Sequence, residues 1–293
     1  MRSASLSFPS PVAIVGAGYL GAAVAAALPA TVTTIATTRS GRWRTPSPPP
    51  GVTLHALDVT GEPLDASPLR SARAAVICYA PGGAQARDAL YVAGTERLLR
   101  AWGRGALERL VLVGSTSALP DRDAWLDETC EAWPDDERGR VQRRAEQVVL
   151  EHATRHGIPW LVLRLGGLYG PERGLDRIYG SHGTSRRSEG QPLPGDGLSP
   201  TNLVHRDDAV AAVLAALAAP PEIQGVVHVV DDEHTPRRLM YARIAATHRA
   251  PAVTWAEAVS WPPVPRGKRV SNARLKAWLG VRLRHPLHRL AEP

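Results

Sequence analysis

The stretch VAIVGAGYLG, Val12–Gly21, constrains the fold more than any other part of the chain. An unbroken apolar run ends on Gly16, Gly18 follows, and Gly21 falls within an Ala-rich segment that reads as a helix over Leu20–Leu28. A strand that stops on glycine and hands the chain to an apolar helix is the opening of a βαβ unit. The first glycine permits the tight turn, the second lets backbone approach a pyrophosphate, and the third lets the helix lie close against the strand. The alternation continues, with apolar runs at Thr31–Thr38, Val52–Asp58, Ala74–Ala80, Arg109–Ser115 and Trp160–Leu165 and helical segments at Ala89–Trp102 and Arg138–His156. Strands that are apolar along their whole length are those of a parallel sheet covered on both faces. The expected fold class is therefore α/β with a doubly wound parallel sheet.

A chain of 293 residues is large for one compact unit. A Rossmann-type domain over residues 1–165 plus about 205–232 is expected, with a small C-terminal substrate-binding lobe from 166–204 plus 233–293. The long Gly/Pro/Ser segment from Pro171 to Pro200 reads as substrate-facing loop, DDAVAAVLAALA as a helix and GVVHVVDD as a strand returning to the sheet; two short helices are expected in the tail. PSPPPG, Pro46–Gly51, reads as a surface turn. No apolar run reaches membrane-spanning length, and no secretory signal is expected from MRSASLSFPS, which has one Arg but no apolar run before Pro11. Cys78 and Cys130 suggest neither a disulfide framework nor a zinc site, so a cytoplasmic protein is expected. The net charge is +7, but lysine occurs only at Lys268 and Lys276 and the arginines are scattered. That pattern points to solvated surface charge, with neither nucleic acid nor membrane as a partner.

A site for NAD usually carries an acidic residue about twenty positions beyond the glycines, bonded to the adenosine ribose. Here neither Asp nor Glu occurs from Ser10 to Leu57, and the second strand ends TTRS, placing Arg39 where a 2′-phosphate would lie, with Arg42 and Arg44 behind it. Guanidinium suits bidentate phosphate contacts. The expected cofactor is NADP(H) in preference to NAD(H), held by Gly16, Gly18, Tyr19, Leu20, Gly21 and Arg39, with Asp58 on the adenine amino group and Tyr79, Ala80 and Pro81 beneath the ribose.

Further segments resemble the extended short-chain dehydrogenase/reductase family, in its atypical NAD-dependent epimerase/dehydratase-like branch. YVAGTERLLRA is similar to the family's N-V-x-G-T-x-N-L-L helix, and LVLVGSTSALPD to its fifth strand and Ser/Thr-rich turn. LRLGGLYGPERG, NLVHRDDAVAAV and PRGKRVSNARLKAWLG resemble the nicotinamide-flanking segment, a later helix start and the closing segment. The resemblance implies Gly166 and Leu168 beside the nicotinamide and a substrate pocket reached by Thr116, Ser117, Tyr169, Asn202 and His205, with Ser115 orienting the reacting oxygen. It also implies a homodimer through the helices flanking the fourth and fifth strands.

That family uses a Tyr and a Lys four residues apart on one helix face, the Tyr as proton donor and the Lys lowering its pKa. Laying Y-G-x-S-K-x-x-A-E on RGRVQRRAE aligns Gly139, Ala145 and Glu146, and puts Arg138 at the Tyr position and Gln142 at the Lys position. Arginine stays protonated at working pH and shuttles protons poorly, but it can hold an anionic group or a developing oxyanion. The bland reading for both Arg138 and Gln142 is an exposed, charged helix face with no active-site role; those for Tyr169, Asn202 and His205 are a core ring, a turn former and a helix-start packing residue. His152 and His156 have metal spacing but lack a third ligand nearby, so no metal is expected. The resulting expectation is an NADP(H)-dependent oxidoreductase acting on a small-molecule metabolite by reduction or an epimerase- or dehydratase-like step. The alternatives are a catalytically silent nucleotide-binding regulator and a non-redox lyase or isomerase.

Overall fold

The computed structural model describes residues 6–44, 47–81, 86–175, 192–247, 253–260 and 263–285. Part of the Gly/Pro/Ser loop, 176–191, and Pro46 of the predicted surface turn lie outside the described residues.

Seven parallel strands form the central sheet: β1 (Val12–Val15), β2 (Thr34–Thr38), β3 (Val52–Ala56), β4 (Ala74–Ile77), β5 (Arg109–Ser115), β7 (Trp160–Leu165) and β10 (Gly225–Val229). Their order is β10-β7-β5-β4-β1-β2-β3, so the winding direction reverses between β1 and β4. Both strands are fully buried, as their unbroken apolar sequences require. Alternate residues point to opposite faces and build two cores. Val12 and Ile14 pack with Val24 of α1 (Tyr19–Ala27) and Val213 of α4 (Arg206–Leu217); Ala13 and Val15 pack with Leu98 of α2 (Thr95–Trp102) and Val149 of α3 (Glu137–His156). Two short pairs stand apart from the sheet. β6 (Trp125–Leu126) pairs with β11 (Arg269–Val270), and β8 (Gly167–Tyr169) with β9 (Leu203–His205). Of the helices in the tail, α5 (Arg237–Thr247) contributes Met240 and Ile244 to a small cluster with Tyr169. α6 (Ala273–Leu279) instead returns Leu275 to the main core.

The sequence predicts one helix over Ala89–Trp102. Its first part, Ala89–Gly94, is a π-helical segment, and α2 follows directly. Gly94 is required there because a Cβ would lie 2.8 Å from Val59 Cγ2. α3 begins on Asp136, whose carboxylate accepts the Gly139 amide at 2.9 Å, and ends on Gly157 in the left-handed region at φ 63°.

Two buried arginines tie layers together. Arg109 donates to the carbonyls of Ala219, Pro220 and Ile223 beyond the end of α4, at 2.8, 2.6 and 2.9 Å. Arg164 of β7 forms a bidentate pair with Glu146 of α3, Nε and Nη2 at 2.8 and 2.7 Å. Among the described residues no helix is long and apolar enough to cross a membrane.

Candidate active site

Ligands of open α/β sheets bind beyond the carboxyl ends of the strands where the winding reverses, here at β1 and β4. The three glycines sit there with separate structural reasons. Gly16 has φ 98°, and a Cβ on it would lie 2.6 Å from Tyr79 Cα. At Gly21 a Cβ would meet the Gly16 carbonyl oxygen at 2.4 Å and Cys78 Sγ at 2.8 Å, so α1 could not seat against β1. At Gly18, the α1 N-cap, a Cβ would meet nothing within 4 Å. Packing thus explains Gly16 and Gly21 but not Gly18. Its bare side opens onto the amino end of a helix without a side-chain cap, a cradle suited to a phosphate.

Leu20 is buried in α1, so its side chain serves the core and leaves only its backbone for a ligand. Tyr19 reaches away to β8's following turn, donating to the Pro171 carbonyl at 2.9 Å, with Arg206 and Arg173 against its ring. Arg39 is exposed in the turn after β2. Arg44 is paired with Glu172 at 2.9 Å. Asp58 accepts from the Thr60 amide at 2.9 Å and hydroxyl at 2.7 Å, which with nearby Arg39 hold its carboxyl below the ordinary range. Tyr79 hydrogen-bonds Thr95 at the start of α2, with burial pushing its phenol pKa up. Exposed Ala80 and half-buried Pro81 continue from it along the sheet edge.

Beyond β5 the chain makes a single 3-10 turn, Thr116–Ala118. Ser115 Oγ accepts from Ser117 Oγ at 3.0 Å and from its amide at 3.2 Å, while Thr116 is buried. The amino end of α3 lies against this turn so tightly that a Cβ on Gly139 would be 2.4 Å from the Ser117 carbonyl oxygen. That contact carries Arg138 and Gln142 to the turn. Arg138 is exposed, and no ion pair is found for it among the described residues. Gln142 corrects the expectation of an exposed helix face: it is buried, near enough to Tyr91 to lower the phenol's pKa. The Gly139, Gln142, Glu146, Val149 stripe has the 3–4 spacing of an inward face, the signal that marks Gln142 as internal.

Three proposed substrate contacts are engaged elsewhere. Asn202 donates to the Lys268 carbonyl at 2.8 Å and accepts the Val270 amide at 2.9 Å, using its amide to hold β11. Tyr169 is a core ring, its hydroxyl donating to the His285 carbonyl at 2.9 Å. His205 caps α4, Nδ1 accepting the Asp207 amide at 3.2 Å, and stacks on His285 with centroids 3.9 Å apart. Gly166 is buried against Asn202, where a Cβ would lie 2.5 Å from the carbonyl oxygen, and Leu168 is half-buried in β8.

Lys268 is a residue that sequence reading missed. Its ammonium donates to the Thr116 and Leu119 carbonyls, both at 3.2 Å, bracing the turn that carries Ser115. Burial holds its pKa below the usual lysine value, opposed by Asp121 and Asp136 and reinforced by Arg138. Composition contained a signal: lysine stands at only Lys268 and Lys276 in a chain whose other strong cations are arginine. Replacing Lys268 with Met is expected to cost about 1–3 kcal/mol, the range for leaving such acceptors unpaired. Urea unfolding measures this, and an unchanged midpoint would show that the brace contributes nothing.

The sheet order, the glycine turn at its reversal and the serine turn beyond β5 define a Rossmann-type protein of the short-chain dehydrogenase/reductase class. The family model of the NAD dependent epimerase/dehydratase family matches residues 12–230, and the chain belongs to that family. Among curated relatives it is similar to 3-diazoavenalumate denitrifying reductase from a Streptomyces species, 31% identical over 206 residues. That match covers 66% of this chain and 66% of the relative, just under two thirds of each. Protein YeeZ of Escherichia coli (strain K12) is 28% identical over 244 residues, 80% of this chain and 82% of that one. A solved structure, MoeE5 in complex with UDP-glucuronic acid and NAD, superposes with a TM-score of 0.78 at 20% identity, covering 96% of each chain, and supports the fold.

Proposed function

We propose that this protein is an NADP(H)-dependent oxidoreductase that reduces a small-molecule metabolite without an acid–base pair on α3. The observation that carries the reading is Gly18: a bare backbone at an uncapped helix start, with Arg39 exposed at the end of β2 and Asp and Glu absent from Ser10 to Leu57. In this reading the Gly16–Gly21 turn holds the pyrophosphate and Arg39 the 2′-phosphate. MoeE5 is described with NAD, so the preference for NADP rests on this chain's own second strand. When bound, the reduced nicotinamide supplies a hydride. Ser115 orients the acceptor atom, and exposed Arg138 holds an anionic part of the substrate or a developing negative charge. The Streptomyces relative is named a reductase, which supports the reductive direction.

Incubation with 4-deuterated NADPH and a metabolite panel tests the reading by mass spectrometry. Deuterium in a product is expected. Tight NADPH binding with no transfer across the panel would favour a silent regulator or a non-redox use of the pocket. Arg39→Ala tests the cofactor choice: NADPH affinity should fall about tenfold relative to NADH, a loss of roughly 1.4 kcal/mol. An unchanged NADPH/NADH ratio would remove Arg39 from the phosphate site.

A further inference from the structure

We infer that the proton donor of this site is Tyr91, a phenol carried on the π-helical segment before α2 instead of on α3; the inference rests on the hydride-transfer reading above. Three features of the geometry converge on it. Tyr91 stands close enough to Gln142, the residue at the family's Lys position, and to Arg138, at the family's Tyr position, for both to lower its pKa. Its ring stacks with that of Tyr79, 6.5 Å between centroids, and Tyr79 is the residue packed against Gly16 of the glycine turn. It also sits within Ala89–Gly94, a π distortion of the kind that occurs mostly as single-turn bulges and frequently at functional sites. One helix over from the expected position, the chain places a phenol between the cofactor edge and the α3 residues that replace the usual pair.

The groups facing this phenol are Arg87 from its own helical run, Arg138 and Gln142 from α3, and Tyr79 from the end of β4. Burial holds Tyr91 above the ordinary tyrosine range, so it is protonated at neutral pH, while Arg87, Gln142 and Arg138 pull the other way and favour the phenolate left after proton release. Reduction of a neutral C=O bond requires a hydride and a proton. The hydride from NADPH forms a C–H bond as NADPH is oxidised to NADP+. The Tyr91 O–H bond breaks as the new O–H bond forms on the substrate, and water returns a proton to the phenolate. Neither Arg138 nor Gln142 can supply that proton.

The test compares two probes that differ in proton demand. Benzaldehyde needs hydride and proton; 1,2-dimethyl-1-pyrrolinium, a permanent iminium, needs hydride alone. Tyr91→Phe keeps the ring and should reduce benzaldehyde at least a hundredfold more slowly, at the lower end of the usual general-acid contribution. Its rate with the iminium should stay within about threefold of wild type. Gln142→Leu should slow benzaldehyde by about tenfold and spare the iminium. A readout independent of turnover is the alkaline absorbance titration of tyrosine, taken as wild type minus Tyr91→Phe. Added NADP+ should lower the midpoint of the Tyr91 component, because its nicotinamide is cationic. Equal benzaldehyde rates in wild type and Tyr91→Phe, wild-type turnover of the iminium alone, or a Tyr91 midpoint unmoved by NADP+ would each overturn the proposal. A moved midpoint with no NADPH oxidation by wild type on either probe would overturn the hydride-transfer reading itself, and the donor role with it.

Discussion

Replacing Glu146 with alanine should cost about 3–5 kcal/mol, the penalty for stranding one partner of a buried ion pair. Arg164 is 1% exposed and makes two side-chain bonds to that carboxylate, at 2.8 and 2.7 Å. With Glu146 gone, a guanidinium that cannot neutralise itself would remain inside the α3 side of the sheet, with Arg143 already 3.7 Å from the same carboxylate. The neighbouring positive charge makes the loss worse. The double replacement Glu146→Met with Arg164→Met should recover most of the stability, since well-packed apolar residues commonly match a buried pair. Urea unfolding of the single and double variants separates the two. A single variant within 1 kcal/mol of wild type would show that water reaches Arg164 when Glu146 is absent.

The second large effect divides the glycines. Gly21→Ala drives a methyl into the Gly16 carbonyl and Cys78, contacts of 2.4 and 2.8 Å, and should destabilise the fold as well as abolish NADPH binding. Gly18→Ala meets no protein atom within 4 Å and its φ is negative, so its melting temperature should stay close to wild type. Its NADPH affinity should nevertheless fall at least a hundredfold, about 2.7 kcal/mol, because the methyl enters the space the pyrophosphate takes. Fluorescence titration beside a thermal melt reads both quantities. Intact affinity in Gly18→Ala would move the nucleotide away from this helix.

The fold was legible because its strands are buried on both faces and therefore uniformly apolar. β5 and β7 match their apolar runs residue for residue, Arg109–Ser115 and Trp160–Leu165. The glycine turn was equally legible, since steric need fixes Gly16 and Gly21 and leaves Gly18 without a packing reason. The catalytic side was read less well, for identifiable reasons. ALYVAG is built of ordinary helix-compatible residues, so nothing local announces a π turn or directs Tyr91 toward Gln142. Asn202 and Tyr169 come from segments near the pocket, but segment position does not say where a side chain spends its hydrogen bonds. Both spend them holding the C-terminal part of the chain, at Lys268, Val270 and His285. Gln142 was misread because the charged residues around it hide the inward stripe from Gly139 to Val149.

The Lys268 brace also sets an order of assembly during synthesis. The glycine turn and the strands beside it lie early in the chain, and the core beneath them closes once Val213 of α4 has been made. The serine turn is translated soon after, yet its ammonium support lies 152 residues downstream of Thr116. A nascent chain would therefore complete the core under its glycine turn before Lys268 arrives to brace the serine turn. On the proposed function, ribosome-bound intermediates that hold cofactor but cannot yet turn over substrate are the expected consequence.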